Sequence, residues 1–197
     1  MIARTLNLTD FTFISSFQSD TEVQKFGSSS LLLYALALYL RAEDIDELAA
    51  EALTGGSNDK KVDFCYLDVT EGRAIVGQAY ISQDWGKPSA PANKASDLNT
   101  AMAWLLSANE RRIPQILKPK ALELRRALSE GEIKRLEMLY VHNGFESKNV
   151  EEELKAVAEA TKTKLGGLGF ADVVVSQREF GLRGIEELYR KEKGVTH

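Results

Sequence analysis

The chain has one cysteine, two histidines and four prolines in 197 residues. The single cysteine, Cys65, has no partner for an internal disulfide and lies in a predicted strand. It therefore reads as a small core hydrophobe in a cytosolic chain. The two histidines, His142 and His197, are too few and too far apart for a zinc site of recognisable spacing, and His142 beside Asn143 reads as a turn residue at a strand end. Dinucleotide-binding Gly-x-Gly-x-x-Gly, P-loop and Gly-x-Ser-x-Gly strings are all absent, so nucleotide-cofactor and serine-hydrolase readings gain no support. The longest apolar run, residues 31–40, falls well short of the ~20 residues of a membrane span. The N-terminus lacks the basic and apolar regions of a secretory signal, and the expected location is cytoplasmic. Bulk positive charge is missing too: a net charge of −4 and a pI near 5.4 mean that any nucleic-acid contact needs a local basic patch.

What is present is the composition of one globular domain, 44% hydrophobic and 27% charged. Residues 1–27 form an N-terminal arm whose structure the pattern leaves open, and residues 28–193 form a single α/β domain. An all-round apolar helix is expected over 31–40, and a helix over 44–53 behind the capping spacing of Asp44 and Glu47. Strands over 62–67 and 73–81 make a hairpin closed at Gly72. A surface connection over 82–94 leads to a helix opening at Ser96 or Asp97, and a second helix is expected over 120–128. The central strand is placed at 133–141, followed by a helix with a capping box at 149–152, a strand at 170–176 and a last helix around 185–189. This order predicts a mixed sheet, an antiparallel hairpin plus parallel strands, flanked by helices.

The candidate chemistry lies between residues 55 and 80. A glycine-rich turn delivers Asp63 to the head of a strand, and the returning strand carries Gln78, so the pleat can bring two oxygen ligands to one face. Mg²⁺ or Mn²⁺ with several retained waters suits so few protein ligands. Asp59 is a turn former by default. Lys61, on the Asp63 face by strand spacing, and Lys87, in the loop after the second strand, are the nearby ammonium groups, and Lys60, Lys61 and Lys87 are the candidate nucleic-acid contacts. Arg111, Arg112, Arg125 and Arg126, with Lys118, Lys120 and Lys134, would make a basic patch if they shared a face.

The order of an apolar helix, a turn with Asp59 and Asp63, a hairpin and a strand with Gln78 resembles the PD-(D/E)XK restriction-endonuclease-like core. The strings Gly55-Gly56-Ser57-Asn58-Asp59-Lys60-Lys61-Val62-Asp63, Ala92-Asn93-Lys94-Ala95-Ser96-Asp97-Leu98 and Tyr140-Val141-His142-Asn143 resemble the N-terminal part of the abortive-infection phage-resistance (AIPR) family. The resemblance implies an endonuclease-like fold in phage defence, with Asp63 and Gln78 as metal ligands and catalytic residues, Lys61 as a displaced catalytic lysine, and DNA or RNA as substrate. It equally accommodates a catalytically degenerate interaction or sensing module, and self-association as a homodimer. The sequence departs from the pattern at Tyr80, where a lysine is expected, and no helical acid lies within residues 28–40.

Overall fold

The computed structural model describes residues 7–54 and 59–194. The glycine-rich half of the turn, residues 55–58, lies outside the described residues. Eight α-helices and four strands alternate among them: α1 (Phe13–Ser19), α2 (Thr21–Gln24), α3 (Ser30–Leu40), α4 (Ile45–Ala52), β1 (Phe64–Asp68), β2 (Arg73–Tyr80), α5 (Ala92–Leu106), α6 (Lys118–Ser129), β3 (Arg135–His142), α7 (Lys148–Gly167), β4 (Val174–Phe180) and α8 (Leu182–Glu192). The sheet order is β1-β2-β3-β4, antiparallel between β1 and β2 and parallel thereafter. The expected mixed α/β architecture is therefore present. No helix among the described residues is long and apolar enough to cross a membrane.

Alternation along the strands builds two cores. Cys65, Val76, Leu136, Met138 and Tyr140 face α5, α6 and α7, whereas Phe64, Ile75, Leu139, Val141 and Phe180 face α1, α3, α4 and α8. The helix α3 carries no charged side chain and is buried from Ser30 through Leu36, as an all-round apolar helix demands. The first residues described belong to the same core. Phe13 and Phe17 are buried against Tyr34 and Trp85, so the connection after β2 delivers an aromatic anchor inward.

Several boundaries differ from the sequence expectation. Helix α5 opens at Ala92 behind Pro91, four residues ahead of Ser96, because nothing in Ala-Asn-Lys-Ala breaks a helix. Pro119 lies in the first turn of α6, where its missing N–H costs nothing. The cap of α7 is Ser147, whose hydroxyl accepts the Val150 N–H, and the helix runs through Gly167. Strand β4 starts at Val174 rather than at residue 170. It is an edge strand, and Val174 is 61% exposed.

Candidate functional site

Asp63 sits immediately before β1 and is fixed to β2 by both its backbone and its side chain. Its N–H donates to the Gly77 carbonyl at 3.1 Å, and its Oδ2 accepts the Ala79 N–H at 2.6 Å. The β1–β2 register ends at the Phe64–Gly77 pair, and the two bonds of Asp63 fall on the residues either side of Gln78 in β2. Gln78 alternates with Val76 along β2 and so shares the face toward α5, but it is not among the residues that line the Asp63 cavity. The intervening residue has to be glycine: a Cβ on Gly77 would lie 2.0 Å from Phe64 Cε1 and 2.8 Å from the Leu139 carbonyl oxygen. Gln78 is 5% exposed, and its Oε1 is buried without a hydrogen-bond partner.

Burial pushes the Asp63 carboxyl above its ordinary pKa; the Ala79 N–H opposes the shift, Asp59 adds to it, and Lys94 and Lys61 oppose it. The carboxylate opens on a cavity of about 490 Å³ whose walls include Asp59, Tyr80, Lys94, Ser28 and Ser29. Helices α3 and α5 both begin there, and neither receives a side-chain cap from Ser29 or Pro91. The positive ends of two helices therefore lie toward a cavity that also holds carboxylates.

The candidate lysines are distributed differently from the expectation. Strand β1 begins only at Phe64, so Lys61 does not share the Asp63 face by strand spacing. Lys60 and Lys61 adopt left-handed backbone angles (φ 57° and 69°), at a typical cost of about 1–2 kcal/mol per residue. That conformation carries both side chains onto α5: Lys60 Nζ lies 5.1 Å from the Trp104 ring centroid, and Lys61 Nζ lies 3.4 Å from Asp97 Oδ2. Asp59 is the turn former expected, its Oδ1 accepting the Lys61 N–H at 3.0 Å. Lys87 lies in the following loop, 3.6 Å from Asp84, and is not part of the cavity wall.

Lys94 is the cation that sequence reasoning misses. A helix start at residue 96 puts it in a loop; the signal available is the helix-compatible run behind Pro91. It lines the cavity with Asp63 and pairs with Asp97 at 3.6 Å. Four members of the broader basic group are engaged by other groups. Arg125 donates to the Leu105 and Trp104 carbonyls at the end of α5, Arg126 pairs with Glu130 and Glu132, Lys118 with Glu110, and Lys120 with Glu123.

His142 is no turn residue. It ends β3 fully buried, its Nδ1 accepting the Gly144 N–H and its Nε2 therefore donating to Glu179 Oε1 at 2.9 Å. Asn143 is buried beside it, bonded through both amide atoms to the Ser82 backbone.

Among the described residues no three His, Cys, Asp or Glu side chains converge as metal ligands. The donors on offer are Asp63, with one carboxylate oxygen on a backbone N–H, and the orphaned Gln78 oxygen. Two such oxygens fit a hard divalent ion that keeps most of its water, and do not fit a thiolate- or imidazole-binding metal. The fold and site thus define a mixed α/β domain with an acid-amide pair at the end of its hairpin. No family model, no curated protein and no solved structure matches the chain.

Proposed function

We propose that this chain is a nuclease-like phage-defence domain with a divergent metal-dependent site for nucleic acid centred on Asp63. The observation that carries the reading is a buried carboxylate, Asp63, bonded to β2 on either side of Gln78, whose own amide oxygen is buried without a partner. The sequence resemblance to the AIPR proteins supplies the biological role and the restriction-endonuclease-like assignment.

Asp63 and Gln78 are the residues that would hold Mg²⁺ or Mn²⁺. A bound ion would supply Lewis-acid polarisation of a phosphodiester and a water of lowered pKa. The chain's own groups supply the rest. Ala79 N–H orients the carboxylate, and Lys94 supplies a permanent positive charge to a phosphate in the cavity. The N-terminal ends of α3 and α5 add the positive potential of their helix dipoles.

Tyr80 lines the cavity at the position where the resemblance expects a lysine, and a phenol cannot carry a positive charge. This substitution favours a second reading, a sensing or interaction module that binds nucleic acid without cutting it. Cleavage of supercoiled plasmid and of single-stranded oligonucleotides in Mg²⁺ and Mn²⁺, by the native chain and by Asp63→Ala, tests the proposal. Metal-dependent cleavage lost in Asp63→Ala is the expected result; no cleavage by either protein, with no calorimetric Mn²⁺ binding, removes the catalytic reading.

A further inference from the structure

The left-handed turn at Lys60 and Lys61 has no structural need for lysine. Asn or Gly would suit the backbone better, yet the turn places two ammonium groups on the solvent side of α5. Along that helix stand Lys94 in the cavity wall, Asp97, and Trp104 under the Lys60 ammonium. Lys94 and Trp104 are ten positions apart, which on a helix is about 15 Å. The ion pairs of Asp97 with Lys61 (3.4 Å) and Lys94 (3.6 Å) are long and partly exposed, and a phosphate can replace the carboxylate in either. Trp104 is partly exposed and packs against the core beneath α5, so its ring offers a platform with one side supported.

We propose that Lys94, Lys61, Lys60 and Trp104 form a track along α5 that binds single-stranded nucleic acid and leads it to the Asp63 cavity. The lysines take phosphates, and one unstacked base lies on the Trp104 indole in place of the Lys60 ammonium. This rests on the nucleic-acid reading of the Asp63 site and specifies its substrate. A duplex keeps its bases stacked and offers the indole nothing, whereas a single strand offers a free π-face at every nucleotide.

The test is fluorescence anisotropy of labelled dT15, rU15 and a 15-base-pair duplex, in EDTA so that binding is read apart from cleavage. The proteins are the native chain, Trp104→Leu, Trp104→Phe, Lys60→Asn/Lys61→Asn and Asp97→Asn, each checked for fold by circular dichroism. Asparagine tolerates the left-handed turn, so the double variant removes charge without straining the backbone. The track predicts that one or both single strands bind more tightly than the duplex. Trp104→Leu should weaken that binding about tenfold, with much of it restored in Trp104→Phe. The double variant should flatten the dependence of log K on log salt by about 0.7 for each phosphate it no longer neutralises, and Asp97→Asn should tighten binding. Trp104 emission should be quenched on binding in a Trp85→Phe background. Equal binding of duplex and single strand, indifference to Trp104→Leu, or no binding by folded protein overturns the track. Adding Mg²⁺ separates the two proposals: single-strand binding without cleavage leaves the track and removes the catalytic reading. Duplex cleavage indifferent to Trp104 does the reverse.

Discussion

Asp63 grips β2 on either side of Gln78, its N–H on the Gly77 carbonyl and its carboxylate on the Ala79 N–H, while the Gln78 amide oxygen is buried with nothing to accept. A buried acceptor without a donor typically costs about 1–3 kcal/mol, so the fold keeps Gln78 at the expense of stability. Replacing it with methionine, similar in shape and without the oxygen, is expected to raise Tm. Each kcal/mol recovered is worth about 2–4 °C in a domain of this size. The same change should abolish Mn²⁺ binding. Thermal denaturation with and without Mn²⁺ checks both, and a Gln78→Met protein less stable than the native chain would show that the amide is satisfied in solution.

Asp63 itself carries a pH signature. Its folded pKa is raised, chiefly by burial, so its protonated form favours the folded state. The stability it contributes is complete below the unfolded carboxyl value near 3.9, and is lost as pH rises through the folded pKa. Asp63→Asn keeps an oxygen to accept from Ala79 and removes the charge. The Tm difference between variant and native protein is therefore expected to grow in the variant's favour from pH 4 to pH 7. Saturating Mg²⁺ or Mn²⁺ should reverse that order at pH 7 by stabilising only the native chain.

The parts of this molecule that can be read from sequence are those where neighbouring residues decide the outcome. The hairpin announces itself through β-branched and aromatic runs around Gly72. The capping acid of α4 is equally local, Asp44 accepting from Asp46 and Glu47 as expected. What escapes depends on distant partners. The Val173-Val174-Val175 run invites a buried strand, but β4 pairs on one side only and continues through Ser176, Gln177 and Arg178. Phe13 and Phe17 make a helix because Tyr34, Trp85 and α8 are there to receive them. Lys61 leaves its expected face because the chain turns left-handed before the strand starts, and Lys94 joins the site only because α5 begins four residues early.

Glu186 supplies from α8 the cap that α1 lacks in its own sequence. It is 6% exposed, and its carboxylate accepts the Thr12 hydroxyl at 2.7 Å, the Phe13 N–H at 2.9 Å and Arg190 Nε at 2.6 Å. Burial alone would raise its pKa, but the Phe13 N–H, Arg190 and Thr12 outweigh it and hold the carboxyl below its usual range. Its stabilisation is therefore present above the unfolded carboxyl pKa near 4.3 and disappears as pH falls through the depressed folded value. Glu186→Ala is expected to cost about 2 kcal/mol at pH 7, and the deficit should shrink in acid. Urea denaturation at pH 7 and pH 3 measures it; a deficit unchanged with pH would assign the loss to packing.

Asn143 predicts a sharper distinction, because its two amide atoms do opposite jobs. Oδ1 accepts the Ser82 N–H at 2.9 Å and Nδ2 donates to the Ser82 carbonyl at 2.8 Å, in a fully buried setting beside the His142–Glu179 pair. The Gly86 N–H bonds to the Asn143 carbonyl and the Phe145 N–H to the Lys87 carbonyl, so this amide anchors the connection that carries Trp85 into the core. Asn143→Ala leaves two buried backbone groups unpaired and is expected to destabilise by about 2–4 kcal/mol. Asn143→Asp, nearly identical in shape, keeps the acceptor, loses the donor and buries a charge against a carbonyl, so at neutral pH it should be at least as damaging. Protonation restores a donor, so Asn143→Asp should recover relative to Asn143→Ala as pH is lowered toward 4. Trp85 emission during urea titration follows the loss directly, and parallel pH profiles for the two variants would mean that Ser82 finds its partners in water instead.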